Sequence, residues 1–223
     1  MSFFSELDFS LQLPDGDIWI FGYGSLMWRP DFPYTDFQPA LLGGYHRALC
    51  VYSVKFRGTR DCPGLVLGLD RGGSCKGRAM RVERAQAKSV LEYLHEREMT
   101  HQVYCPKWLP VKIPSGTVRA YCFIVDRAHR QYTGKLADEA ALKLIRQGHG
   151  KGGACLDYLQ NTIRHLDELG IPDGPQAYPN AAGHGVWTHG DVEKGFAEAD
   201  LIFEHTFKTN HQHQAYIEPH ASV

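Results

Sequence analysis

Two short stretches hold residues whose types and spacing fit a chemical role. The first is Tyr23, Gly24, Ser25 and Leu26, which follow an apolar, β-prone run at residues 18–22. The glycines on both sides of Tyr23 permit backbone angles that a Cβ resists, and successive N–H groups in such a turn can hold a carboxylate or an oxyanion. The pattern predicts a strand that leads into a binding loop, with an ordinary glycine turn between two core strands as the alternative.

The second stretch is a helical segment, residues 83–99, that places a carboxylate in its apolar stripe. Ala87, Leu91 and Leu94 are spaced to share one face, and four residues further along the same face is Glu98. A carboxyl group in apolar surroundings has a raised pKa and accepts protons better at neutral pH. The alternative is a carboxylate at a helix end that reaches water or pairs with Arg97.

The elements that must position these residues are short strands with glycine corners. Strands are predicted at residues 40–52, 65–69, 77–82, 109–113 and 119–125, with a turn at 70–73. This pattern favours an α+β fold with a small, curved β-barrel surrounded by helices. Further helices are predicted at residues 138–147 and 157–169, the second ending at Gly170. The glycine-rich residues 148–153 lack the spacing of a phosphate-binding loop and are predicted to be a flexible connector.

The composition favours a small-molecule partner. The formal net charge is −1 and no long basic run occurs, so neither nucleic acid nor a membrane is expected as a partner. Six cysteines without a CxxC pair, together with an N-terminus that does not resemble a signal peptide, predict reduced thiols and a cytoplasmic protein. No apolar run approaches the roughly 20 residues of a membrane span. The sequence leaves the oligomeric state open.

Several motifs in order along the chain resemble one enzyme family. They are Phe-Gly-Tyr-Gly-Ser-Leu at residues 21–26, Gly-Tyr-His-Arg at 44–47, Pro-Gly-Leu-Val-Leu-Gly-Leu at 63–69, Arg97-Glu98, and Asn-Thr-Ile-Arg at 161–164. Over residues 17–174 the chain resembles the ChaC branch of the γ-glutamylcyclotransferases. The resemblance implies a small β-barrel with helices around it, and cleavage of glutathione to 5-oxoproline and cysteinylglycine. In that reaction the α-amine of the γ-glutamyl group attacks its own γ-carbonyl.

The resemblance also implies roles for individual residues. Glu98 aligns with the family's catalytic glutamate and would act as general acid and base. The substrate-binding residues would be Tyr23, Gly24, Ser25, Leu26 and Tyr104. Ser25 is expected to bind rather than to attack, because no triad partners accompany it. The substrate supplies the nucleophile, so no metal and no cofactor are expected. The alternative is a non-catalytic module that binds γ-glutamyl compounds or amino acids and has a regulatory role.

The last part of the chain differs in composition from the rest. Six of the twelve histidines follow residue 180, and residues 190–200 and 201–209 are predicted as a helix and a strand. Residues 175–223 resemble a fragment of the molybdenum-binding subunit of the xanthine dehydrogenase family, so a boundary is predicted between an enzyme-like domain, 1–174, and an appended tail, 175–223. A fragment this short is not expected to hold molybdopterin. Its histidines are predicted to be solvated, with metal or partner binding as the alternative.

Overall fold

The computed structural model describes residues 13–171, which form a closed β-barrel with three helices around it. The barrel strands are β1 (Ile18–Gly22), β2 (Asp36–Ser53), β3 (Gly64–Val82), β4 (Tyr104–Ile113) and β5 (Gly116–Val125). Their order is β1-β3-β2-β4-β5, and a parallel pairing of β1 with β5 closes the barrel. The predicted α+β class with a small barrel is therefore confirmed. The helix and strand predicted for the tail lie outside the described residues.

The two longest strands, β2 and β3, pair along their whole lengths. The turn predicted at residues 70–73 is wrong, because β3 runs through it without a break. At these residues the strand bends, but the chain does not reverse its direction. The register shifts between Gly43 and Tyr45 on β2, and on β3 Gly72 and Gly73 have φ values of 103° and 66°. Such an irregularity increases the local twist of paired strands, which lets a small barrel close.

Strand β4 begins at Tyr104, five residues before the predicted start at 109. The predicted strand includes Pro110 but begins after Pro106, and a proline nitrogen cannot donate to a ladder. The structure accommodates both because β4 pairs along its length only with β5 and touches β2 through just Leu41 and Leu42. The longer strand matters for the site, because it places Tyr104 in the barrel wall.

The predicted helix with an apolar stripe is observed as α1 (Ala87–Glu98), preceded by a single 3-10 turn. Its buried face includes Ala87, Leu91 and Leu94, which confirms the predicted face. This face packs against β1, β3 and β5 in a cluster that includes Ile20 and Phe123. Because Glu98 is the last residue of α1, the packing of the helix against the barrel determines where that carboxyl group lies.

The remaining helices are α2 (Asp138–Gln147), as predicted, and α3 (Cys155–Glu168), which begins two residues earlier than predicted. The connector between them is not flexible as expected. It forms the two-residue strands β6 (His149–Gly150) and β7 (Gly153–Ala154), and the N–H groups of Lys151 and Gly152 bond the carbonyls of Lys55 and Phe56 at 2.9 and 2.8 Å. A Cβ on Gly150 would stand 2.6 Å from the Lys55 carbonyl oxygen, so glycine permits this packing.

In the part of the chain that the structure describes, no helix combines the length and the apolar character that crossing a membrane requires.

Candidate active site

A cavity of about 430 Å³ opens among the turn after β1, the end of α1 and the segment after β2. Its volume lies within the roughly 300–1,000 Å³ usual for small-molecule sites. All the candidate residues line this cavity, namely Tyr23, Gly24, Ser25, Leu26, Glu98 and Tyr104. The structure thus brings together residues that are separated by more than 70 positions in the chain. Their individual roles remain predictions.

The turn after β1 is held by two arginines from the barrel. The Nε–H of Arg47, a buried side chain on β2, donates to the Tyr23 carbonyl, and Arg78 on β3 donates to the Met27 carbonyl at 3.1 Å. In a trans peptide the C=O and the following N–H point in opposite directions, so the Gly24 N–H points away from Arg47. Residues Ser25–Met27 form one 3-10 turn, whose first N–H groups have no acceptor within the turn.

Little space is open for a side chain at Gly22, the last residue of β1. Neither Gly22 nor Gly24 has the positive φ that often explains a glycine beside a turn. A Cβ on Gly22 would instead lie 3.1 Å from Met80 Cε and 3.3 Å from two atoms of Leu26. A side chain at position 22 would therefore push on Leu26, which lines the cavity.

Glu98 stands at the C-terminal end of α1 with 22% of its side chain exposed. Its Oε1 lies 3.2 Å from the Nε of Arg97. It thus pairs with Arg97, as one interpretation of the sequence expected, and it also lines the cavity, while its role as proton acceptor stays a prediction. Burial raises the pKa of the Glu98 carboxyl above its ordinary value, and the charge and hydrogen bond of Arg97 oppose that shift. The net effect is a carboxylate that accepts a proton more readily than one in water.

Arg97 links α1 to the turn and to the loop that follows it. Its guanidinium donates to the Ser25 hydroxyl at 3.1 Å, to the Arg29 carbonyl at 2.8 Å and to the Tyr93 hydroxyl at 3.0 Å. It also lies 3.4 Å from the Asp31 carboxylate. One side chain therefore fixes the distance between Glu98 and the turn.

Three tyrosines surround the Glu98 side of the cavity, namely Tyr23, Tyr104 and Tyr158. The Tyr104 hydroxyl donates to the Leu67 carbonyl at 3.0 Å, and the Tyr158 hydroxyl accepts the Leu67 N–H at 3.4 Å. Burial, reinforced by the nearby Glu98 carboxylate, raises the pKa of each phenol above its ordinary value. All three phenols therefore remain neutral hydrogen-bonding groups beside the Glu98 carboxyl group.

Sequence reasoning missed several residues of the cavity wall. One is Tyr158, the tyrosine of α3, whose hydroxyl reaches Leu67 on β3. Lys55, Arg57, His101 and Gln131 carry no periodic signal because they lie in segments between the regular elements. Only the folded chain brings them to the same cavity.

The fold and the site together define a class: a small closed barrel with helices around it and a cavity in which the Glu98 carboxyl group stands among buried tyrosines. A family model described as ChaC-like protein matches residues 18–177. The chain belongs to this family.

Similar proteins and a similar solved structure support this assignment. The chain is 36% identical over 160 residues to the glutathione-specific gamma-glutamylcyclotransferase of Escherichia coli strain K12, with 71% of this chain and 69% of the relative covered. It is 35% identical to the human glutathione-specific gamma-glutamylcyclotransferase 1, with 75% and 78% covered. A crystal structure of the glutathione-specific γ-glutamyl cyclotransferase of yeast superposes with a TM-score of 0.64, at 22% identity over 69% of this chain and 88% of that one. This likeness supports the same fold.

The end of the chain has a separate match. A family model described as molybdopterin cofactor-binding domain matches residues 175–223, in agreement with the resemblance to a xanthine dehydrogenase fragment. These residues lie outside the described part of the chain. The function proposed below depends only on residues 13–171.

Proposed function

We propose that the protein is a γ-glutamylcyclotransferase that cleaves glutathione to 5-oxoproline and cysteinylglycine. The observation that carries the proposal is the position of Glu98, whose carboxyl group shares one cavity with the turn at residues 23–26. The names of the relatives support glutathione as the substrate.

The reaction is an intramolecular transfer. The α-amino nitrogen of the γ-glutamyl group forms a bond to its own γ-carbonyl carbon, and the amide bond to cysteine breaks. Starting from the neutral α-amine, one proton leaves the attacking nitrogen as the ring closes and one reaches the departing nitrogen, so no water is consumed. The nucleophile comes from the substrate, and the site has only to fold the substrate back and move a proton.

Glu98 performs the proton transfers in this proposal. An α-ammonium group has a reference pKa near 8 and must lose a proton before it can attack. The Glu98 carboxylate holds the ammonium, accepts that proton and returns one to the leaving nitrogen. The raised pKa of Glu98 supports this role, because it brings the pKa of the accepting carboxyl group closer to that of the donating ammonium group.

The turn at residues 23–26 binds the γ-glutamyl group in this proposal. The Gly24 N–H points away from Arg47, and the first N–H groups of the 3-10 turn have no acceptor within the turn. These N–H groups are positioned to donate to the γ-carbonyl oxygen as negative charge develops on it. Tyr104, which lines the same cavity, is part of the substrate-binding wall in this proposal. Ser25 binds rather than attacks, since its hydroxyl contact is with Arg97 and not with a base.

The test is incubation of the purified full-length protein with glutathione and detection of both products by mass spectrometry. The proposal expects 5-oxoproline and cysteinylglycine in equal amounts. Glutamate in place of 5-oxoproline would indicate hydrolysis and refute the cyclisation. Binding of glutathione without either product would support the non-catalytic binding module instead.

We also propose that the enzyme resides in the cytoplasm. All six cysteines are free, including the exposed Cys62, which is typical of proteins in a reducing compartment.

A further inference from the structure

We propose that Lys55 binds the carboxylate that ends the leaving amine of the substrate, and so gives the cavity its preference for a γ-glutamyl peptide with a free C-terminal carboxylate. This inference rests on the proposed function. It assigns a second charged subsite to the cavity, separate from Glu98.

Lys55 follows the end of β2, and its half-buried side chain lines the cavity. The ammonium group lies 5.4 Å from the centre of the Phe56 ring. Among the described residues no carboxylate forms an ion pair with it. A half-buried ammonium without an anion beside a cavity is a natural site for the carboxylate of a ligand.

The Lys55 backbone is held in place independently of its side chain. Its carbonyl accepts the Lys151 N–H at 2.9 Å, and the neighbouring Phe56 carbonyl accepts the Gly152 N–H at 2.8 Å. The segment is thus anchored to the β6–β7 hairpin, and the position from which the ammonium reaches into the cavity is defined.

The cavity has two electrostatically distinct ends. Arg97 is the charged group that pairs with Glu98 and lowers its pKa. Lys55 acts on His101, another lining residue, whose pKa is lowered first by burial and then by Lys55. The ammonium of Lys55 is therefore near His101, whereas the cation beside Glu98 is Arg97.

A second cation, Arg57, lies two residues after Lys55 and also lines the cavity. Its guanidinium donates to the carbonyls of Gly152 and Ala154 and lies 5.5 Å from the centre of the Tyr158 ring. These contacts hold Arg57 in the wall of the cavity and leave Lys55 as the cation of this segment that has no ion pair among the described residues. The acidic residues that line the cavity, Asp31 and Glu98, both lie at the Arg97 end.

The charges of the substrate match this arrangement. Glutathione has one ammonium group, on the γ-glutamyl end, and a carboxylate at each end. With the ammonium at Glu98 and the γ-glutamyl group on the turn at residues 23–26, the glycine carboxylate lies at the far end of an extended ligand. That is the end where Lys55 supplies the opposite charge.

The experiment compares two substrates that differ only in this carboxylate: glutathione and glutathione monoethyl ester, in which the glycine carboxylate is esterified. A charge-assisted hydrogen bond is worth about tenfold or more in binding, so the full-length enzyme is expected to show about a tenfold higher kcat/KM with glutathione. In Lys55→Met this ratio is expected to fall toward one, mainly through a higher KM for glutathione, and Lys55→Arg is expected to restore most of it.

Lys88→Met is the matched control, because Lys88 is 68% exposed on α1 and does not line the cavity. It is expected to leave the ratio unchanged. An active enzyme that turns over the acid and the ester equally well would overturn the inference, as would a Lys55→Met variant that keeps the wild-type ratio. Failure of the wild-type protein to release 5-oxoproline from either substrate would refute the proposed function itself.

Discussion

The substitution Glu98→Gln tests the proposed chemistry most directly, because it removes the proton acceptor and keeps the shape of the side chain. The Glu98 side chain is 22% exposed and forms its ion pair with the adjacent Arg97. The amide oxygen of glutamine can still accept a hydrogen bond from that guanidinium. Loss of a partly exposed ion pair costs about 1 kcal/mol or less. The variant is therefore expected to fold, with a melting temperature close to that of the wild type.

The effect on activity is expected to be far larger. General acid–base catalysis by a positioned side chain contributes roughly 10²–10⁴-fold, and an amide cannot accept the ammonium proton. The release of 5-oxoproline from Glu98→Gln is therefore expected to fall by at least about a hundredfold, which corresponds to roughly 2.7 kcal/mol in the barrier. The loss should appear in kcat, since the turn at residues 23–26 is unchanged.

The assay is 5-oxoproline release under saturating glutathione, with substrate binding measured separately by calorimetry. Glu96→Gln is the matched control: it makes the same chemical change two residues earlier on α1, at an exposed position outside the cavity. The control is expected to retain wild-type turnover. If Glu98→Gln keeps kcat within about threefold of the wild type, Glu98 is not the proton acceptor and the reasoning from its position fails.

Three further outcomes are expected. Because the pKa of Glu98 is raised and the carboxylate form is the active one, kcat/KM falls as pH drops through that raised pKa; Arg97→Gln removes a group that lowers it, so the acid limb of the pH–rate profile should move to higher pH, and an unmoved limb would contradict this. Gly22→Ala forces a Cβ to within 3.3 Å of Leu26 and should lower kcat/KM, whereas Gly43→Ala, with no atom within 4 Å of the added Cβ, should not; equal effects would refute the steric reading. Termination of the chain after residue 174 should leave 5-oxoproline release intact, and its loss would show that the tail is needed.

The parts of the fold that could be predicted from the sequence are those determined by residues close together in the chain. Ala87, Leu91 and Leu94 predict α1 through a spacing that needs no partner. The helix end at Gly170 follows from the conformation that glycine adopts there, with φ of 61°. The same local spacing put Glu98 on the face that packs toward the barrel.

The parts that were missed depend on partners distant in the chain. Residues 70–73 have the composition of a turn, but Asp70 and Arg71 pair with the neighbouring strand β2, and the pairing resumes at Ser74 after the bend at Gly72 and Gly73. Pro106, which lies before the predicted start of β4, is tolerated because most of one edge of that strand carries no ladder. Neither fact is a property of the segment itself, so neither could be read from its residues.

The cavity wall illustrates the same limit at the level of function. The sequence predicts Glu98 and the turn at residues 23–26, because a carboxylate in an apolar stripe and a glycine-flanked tyrosine are unusual in themselves. Lys55 is an ordinary lysine in an irregular segment, and its significance comes from its neighbours. Hydrogen bonds from Lys151 and Gly152 hold its segment against the hairpin.

The distribution of charge around the cavity explains why this site suits a reaction whose nucleophile belongs to the substrate. An enzyme nucleophile would have to be deprotonated, yet burial keeps Tyr23, Tyr104 and Tyr158 neutral. Asp31 and Glu98 both pair with Arg97, but Glu98 is the more buried of the two, with 22% of its side chain exposed against 52% for Asp31, and burial raises its pKa. Such a site binds the substrate ammonium group at Glu98. Once the ammonium has lost a proton there, the resulting amine already lies beside the carbonyl that it attacks.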